Sequence, residues 1–171
     1  YQEWFVNMRF PGHENAVINK ETLLPEGWKE ETFDKTLDFK TGKLNSNAAV
    51  AGGKYPFFTC SQEIFRTNTF SFDTEAVLLG GNNASANYPL KYFKGKFDAY
   101  QRTYIIKPKS DISHVYVYLV LLDRLYFLKQ ISTGAATKFL TMRILNQLKI
   151  LIPDNQINVH FAKVVSPFFE Q

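Results

Sequence analysis

The chain has 171 residues, of which 45% are hydrophobic and 21% charged, with sixteen Phe and nine Tyr; this excludes bulk disorder and fits one domain large enough to bury its own core. A formal net charge of +4 permits nucleic-acid binding without demanding it. The single cysteine, Cys60, excludes an internal disulfide and, with no Cys/His cluster at zinc spacing, points to a cytoplasmic protein.

The opening residues 1–10 (YQEWFVNMRF) place Tyr1, Trp4, Phe5 and Met8 at helical spacing until Pro11-Gly12, which predicts the tail of a longer helix. A start at Tyr1 with no apolar leader suggests a piece of a longer protein. Residues 13–25 are a polar linker, delivering Trp28 to the domain surface. Short strands are predicted at 32–38 and 55–59, joined by a Gly/Asn/Ala-rich connection at 42–53. More follow at 70–72 and 76–79, before a turn at 80–83 whose residues tolerate positive φ. Strands at 92–93 and 96–97, joined by a turn at Lys94-Gly95, and at 102–106 complete a mostly β section.

After Pro108 the apolar period changes. Tyr118, Leu121, Leu122, Leu125 and Leu128 predict the buried face of a helix over 113–131, closed by Thr133-Gly134. The longest apolar run, 116–122, stops at Asp123, far short of the roughly 20 residues that span a bilayer, so no membrane segment is expected. A short helix at 141–146 and a strand at 148–152 lead to Pro153, which suits the start of a last helix. There Ile157, Phe161, Val164 and Phe168 form one apolar seam at heptad spacing, a candidate assembly surface. The fold class is therefore α+β: a linker region over 1–23, a mixed sheet-rich domain over 24–153, and a terminal coiled-coil-type helix over 154–171.

Catalytic motifs are missing. No Asn/Asp-Pro-Pro-aromatic motif exists for methyl transfer to a flipped base, no Glu-x-Lys for a metal-dependent nuclease, and no Gly-x-x-x-x-Gly-Lys-Ser/Thr for a motor. His13, His114 and His160 form no triad or metal site, and Cys60 beside Ser61 lacks a motif-placed base, so it reads as a small hydrophobe. What remains is a set of polar loops carrying side chains that read base edges: Asn/Gln for adenine, Arg/Lys for guanine, Ser/Thr for either. The candidates are Thr41, Lys43, Asn45 and Asn47; Asn82, Asn83, Ser85 and Asn87; and Gln101 with Arg102, joined by Ser61 and Gln62. Lys91, Lys94, Lys96 and Lys138 are candidates for neutralising phosphates, since the positive charge is concentrated after residue 90. Two other readings stay open. A single-strand or RNA-binding module would expose Phe/Tyr on a sheet face, and a purely structural interaction domain would have no salt-dependent DNA affinity.

An ordered set of segments resembles the specificity subunits of type I restriction-modification enzymes: residues 1–6 (YQEWFV), 9–14 (RFPGHE), 24–28 (LPEGW), 53–59 (GKYPFFT), 76–82 (AVLLGGN), 95–104 (GKFDAYQRTY), 133–135 (TGA) and 148–153 (LKILIP). The resemblance implies a target-recognition domain that reads one half of a split double-stranded DNA site and performs no chemistry. A full subunit of that family has two such domains, each followed by a long helix, and the two helices pair antiparallel. The helices bind modification subunits, which carry S-adenosylmethionine and methylate adenine, while restriction subunits use ATP and magnesium. On this resemblance the chain needs no cofactor of its own. Residues 1–10 would close a spacer helix, making this the C-terminal recognition domain or a half subunit.

Overall fold

The computed structural model describes residues 1–169. Its centre is a six-stranded sheet built from β2 (Leu37–Thr41), β3 (Tyr55–Phe58), β4 (Phe65–Thr67), β5 (Phe72–Gly80), β7 (Leu90–Ala99) and β8 (Thr103–Pro108), in the order β2-β8-β5-β7-β3-β4. Two small antiparallel pairs flank it. One joins β1 (Lys29–Thr32) to β10 (Lys149–Ile152), the other β6 (Asn82–Asn83) to β9 (Lys138–Phe139). The helices are α1 (Phe33–Thr36), α2 (His114–Ile131), α3 (Met142–Asn146) and α4 (Asn155–Val165).

β5 sits between β8 and β7 and is antiparallel to both. Its side chains alternate between two cores, as a strand's period of two requires. Ala76 and Leu78 join Phe58, Phe97, Ala99 and Ile105 on one face, while Val77 and Leu79 join Ile106 and the helices on the other. Burial on both sides explains the unbroken apolar run 76–79. The sheet also curls on itself: the Ala99 carbonyl accepts from Lys43 N and Leu44 N (3.1 and 3.2 Å), and Tyr100 N donates to the Phe58 carbonyl (2.8 Å). Gly95, midway along β7, takes a φ of +136°, a backbone state that other residues rarely adopt.

Several expectations from the sequence are corrected. The two strands and turn expected over 92–97 are one ten-residue strand, β7, because Gly95 bends the chain without breaking the ladder to β5. Likewise 70–72 and 76–79 are not two strands; one strand, β5, runs from Phe72. The strand expected over 32–38 is interrupted by the helical turn α1, which buries Phe33, while the Thr36 hydroxyl donates to the Thr32 carbonyl (3.0 Å). Asn82 and Asn83 do more than turn, since they pair with Phe139 and Lys138.

At the start of the chain the expected helix over 1–10 is a single π-type turn, Gln2–Val6, and Met8 at φ 56° ends it. Helix α2 is apolar around most of its circumference, so its buried face is wider than the spacing indicated: Leu121 and Leu128 are buried and Tyr118 and Leu125 pack against the core as expected. Val115, Tyr116, Val117, Val120, Leu121 and Leu128 are buried, whereas Leu122 is 45% exposed.

The apolar seam of the last helix divides. Ile157 and Phe161 are buried, but Val164 is 47% and Phe168 75% exposed. The Phe161 ring packs on Phe5 (centroids 4.8 Å), Trp4 (5.3 Å) and Tyr116 (5.9 Å). α4 starts after Asp154, whose carboxylate accepts from Ile157 N (3.0 Å) as a helix cap and from the Trp28 indole N–H (3.0 Å). Trp28 in turn packs on Phe10 (4.7 Å). Both ends of the chain are thereby drawn into one core. A 3-10 turn, Ser166–Phe168, follows α4; residues 170 and 171 of the expected helix lie outside the described residues.

This division predicts a contrast. Phe161, only 2% exposed, becomes a cavity on substitution by Ala, and thermal or urea unfolding will show a loss of about 3–5 kcal/mol. Phe168→Ala will leave the unfolding midpoint essentially unchanged.

Candidate nucleic-acid interface

Beyond Gly80 the ends of four strands and the hairpin after α2 meet. Gly81 N donates to the Arg102 carbonyl (2.8 Å), and the Cys60 thiol donates to the same oxygen (3.4 Å). Gln101 N donates to the Leu44 carbonyl (3.0 Å), and Leu140 N to the Gly81 carbonyl (2.9 Å). The Gln62 side-chain amide reaches the Asn87 carbonyl (3.3 Å), and the Lys91 ammonium the Ser61 carbonyl (2.7 Å). Close approach is possible because two positions lack side chains. A Cβ on Gly42 would lie 2.1 Å from the Ala99 oxygen, and one on Gly81 would lie 2.6 Å from the Arg102 oxygen.

The loop 82–87 is ordered from within. The Asn83 Oδ1 accepts from Ser85 N (3.0 Å), the Ser85 hydroxyl (2.9 Å) and Asn87 N (3.0 Å), the self-capping that favours Asn in turns. Asn83 and Ser85 are therefore committed to the loop's own geometry. Asn82 is half-buried in the β6–β9 pair, while Asn87 is exposed. Thr41, the last residue of β2, and Lys43, Asn45 and Asn47 in the connection after it are all exposed; Asn45 precedes the 3-10 turn Ser46–Ala48 without capping it through its side chain.

Gln101 and Arg102 lie in a turn between β7 and β8 rather than at a strand start, and both are exposed. Their side chains carry no hydrogen bond to another described residue, and Arg102 forms no ion pair there. Its guanidinium carbon instead lies 5.8 Å over the Phe139 ring. Asp98, four residues earlier, is fully buried and accepts from the Thr69 hydroxyl (2.8 Å). Arg102, Gln101, Thr41 and Gly81 rim a concavity of about 400 Å³ together with Tyr104, Phe139, Leu140, Thr141 and Met142. Burial raises the Tyr104 phenol above its ordinary pKa, and its hydroxyl donates to the Leu140 carbonyl (2.7 Å). Phe139, Thr141 and Met142 escaped the sequence reading. They reach the site only because α2 returns the chain to it, and nothing local marks them.

The lysines separate by place. Lys91 is half-buried, and desolvation lowers its pKa. Lys138 donates to the Gly134 carbonyl (2.7 Å). Lys94 and Lys96 stand opposite Glu75 and Asp73, toward the other end of β5; Lys94 is 3.7 Å from the Glu75 carboxylate, and Lys96 lies over the Phe70 ring. The structure therefore does not bring those two to the loops. Lys43 and Arg102 are the exposed cations in the loops themselves. Among the described residues there is no cluster of three or more His, Cys, Asp and Glu arranged to hold a metal ion, and no helix is long and apolar enough to cross a membrane. His114 stands apart from the loops, 3.4 Å from Glu75; its burial lowers the imidazole pKa, and the carboxylate opposes that shift.

The curled sheet thus holds the polar loops together at one end, and its strands set the positions of the exposed loop side chains. The comparisons give the family: residues 25–171 match the type I restriction modification DNA specificity domain, and the chain belongs to that family as one target-recognition domain. It is 35% identical over 130 residues to the type I restriction enzyme EcoDI specificity subunit of Escherichia coli, a match covering 76% of this chain and 28% of that protein. The fold resembles the S subunit from M. genitalium (TM-score 0.71, 17% identity, covering 90% of this chain and 41% of that one). It also resembles the HsdS subunit from Thermoanaerobacter tengcongensis (TM-score 0.59, 14% identity, 92% and 41%). The chain thus spans less than a third of the curated relative and under half of the solved subunits.

Gly81→Ala tests the close packing beneath the loops. The added methyl must push the Arg102 carbonyl away, so calorimetry will show a destabilisation of about 1–3 kcal/mol, typical of overpacking.

Proposed function

We propose that this domain reads one half of a bipartite double-stranded DNA sequence with the loop face beyond Gly80. The convergence of the segments 41–47, 60–62, 80–87 and 100–102 on one end of the sheet carries this reading. Exposed Thr41, Asn45, Asn47, Asn87, Gln101 and Arg102 supply the donors and acceptors that distinguish base pairs in the major groove. Lys43, with Lys91 and Lys138 at the margin, meets phosphates. In the cytoplasm this address directs adenine methylation by modification subunits, which hold S-adenosylmethionine, and restriction by subunits that use ATP and magnesium. The chain itself is non-catalytic and carries no cofactor.

The sheet argues against a single-strand stacking platform, because its central strand is covered on both faces. The large exposed aromatics Phe70, Tyr126, Phe127 and Phe168 lie on other elements than the loops. Two substitutions test the double-strand reading in the reconstituted enzyme. Lys43→Ala will weaken cognate and scrambled duplexes alike and reduce the salt slope by about one. Gln101→Ala will cost about 1–3 kcal/mol on the cognate duplex and little on the scrambled one. Equal losses on both duplexes for Gln101→Ala mean that this side chain does not read bases.

For assembly, we propose that Val164 and Phe168, the exposed half of the α4 seam, pack against a helix of the parent subunit or a modification subunit. A buried unpaired carboxylate is costly. Phe168→Asp will therefore lower the fraction of complex seen by light scattering while leaving the melting temperature of the domain unchanged; unaltered assembly refutes the contact.

A further inference from the structure

We infer that Phe139 is a positioning residue for base readout: its ring holds the Arg102 guanidinium so that it reads a guanine, and the half-site therefore contains a G·C pair set by this couple. The inference rests on the loop-face reading above and deepens it. A surface arginine ordinarily swings among carboxylates and water. Arg102 has no carboxylate partner among the described residues, and Asp98, the nearest acid in sequence, is buried and turned to Thr69. The guanidinium lies over the Phe139 ring at 5.8 Å, the cation–π contact that suits arginine's planar, weakly hydrated head. A contact through the ring face leaves the N–H fork unspent, and the Arg102 side chain donates no hydrogen bond to another described residue.

Phe139 is itself fixed. It exchanges two backbone hydrogen bonds with Thr133 (2.7 and 3.2 Å) and pairs in register with Asn82. Gly134, at φ +107°, leaves room for the ring, since a Cβ there would lie 2.9 Å from Phe139 Cδ2. A cation parked on a rigid ring loses less freedom on binding than a mobile one. The parallel donors of the fork match the O6 and N7 acceptors of guanine in the major groove, a pattern that no other base presents there.

The test uses the reconstituted methyltransferase with the full-length specificity subunit and fluorescent duplexes bearing the methylated sequence, the half-site varied one base pair at a time. A further duplex set replaces each guanine by 7-deazaguanine, which lacks the N7 acceptor. Wild type will lose about ten- to hundredfold in affinity when one G·C pair is changed, and will also be weakened by 7-deazaguanine at that position. Arg102→Lys, which keeps the charge but not the fork, will lose discrimination at that pair alone. Phe139→Leu will lose it at the same pair, Phe139→Tyr will keep it, and the Arg102→Lys/Phe139→Leu double variant will be no worse there than Arg102→Lys. Thermal melting restricts the comparison to folded variants, with Phe139→Met as a second ringless substitution. Unchanged discrimination in Phe139→Leu and Phe139→Met, or a loss spread evenly over all positions, overturns the inference while a selective defect in Gln101→Ala still upholds the loop-face reading. Equal weakening of cognate and scrambled duplexes by both Gln101→Ala and Arg102→Lys brings down both.

Discussion

From Ala76 to Gly80 the backbone of β5 has core on both sides, and the remaining elements are placed by that constraint. A strand with no solvent face must have partners along both edges and a layer over each surface. β7 and β8 supply the edges. The curl of the sheet closes one surface around Phe58, Phe97 and Ile105, and α2 with the chain ends covers the other. Because Gly80 ends this strand, whatever follows emerges at a position fixed by the whole core.

That position is where the loops are gathered. The Arg102 carbonyl receives the Gly81 amide and the Cys60 thiol, so one oxygen binds the turns after β3, β5 and β7. Such ties are short-range and oriented, and they hold the backbone while leaving outward side chains to vary without cost to the core. The net charge of +4 is modest, several lysines are spent inside the domain, and few cations remain at the loops. On the proposed reading, selectivity would rest on exposed donors such as Gln101 and Arg102, whose side chains make no hydrogen bond to another described residue.

Much of this organisation was legible in the residues. The apolar run 76–79 marked a strand though not its central place, the Asn-rich segment 82–87 marked a loop, and the ordered segments from 1–6 to 148–153 marked the family. What failed did so for identifiable reasons. Gly95 looked like a turn because its conformational freedom is visible in sequence, whereas the ladder that carries the strand through it is a tertiary fact. The seam from Ile157 to Phe168 has one period, but its two halves meet different surroundings: Phe161 is taken up by Phe5, Trp4 and Tyr116 from distant parts of the chain, and Phe168 is not. Lys94 and Lys96 shared a charged stretch with Arg102 yet point their strand positions at Glu75 and Asp73, because a ten-residue strand separates neighbours in sequence by its full length. Phe139 joins the site through the return of α2, a distance that no local pattern encodes.

If the loops beyond Gly80 form the surface that reads one half of the target, changing their side chains must alter that half alone. Sequencing methylated adenines in cells whose parent specificity subunit carries Asn45→Ala, Asn87→Ala and Gln101→Ala together measures this. The methylated motif will become degenerate in one half and keep the other half unchanged. A motif intact in both halves, with methylation undiminished, means that the loops beyond Gly80 do not read the target.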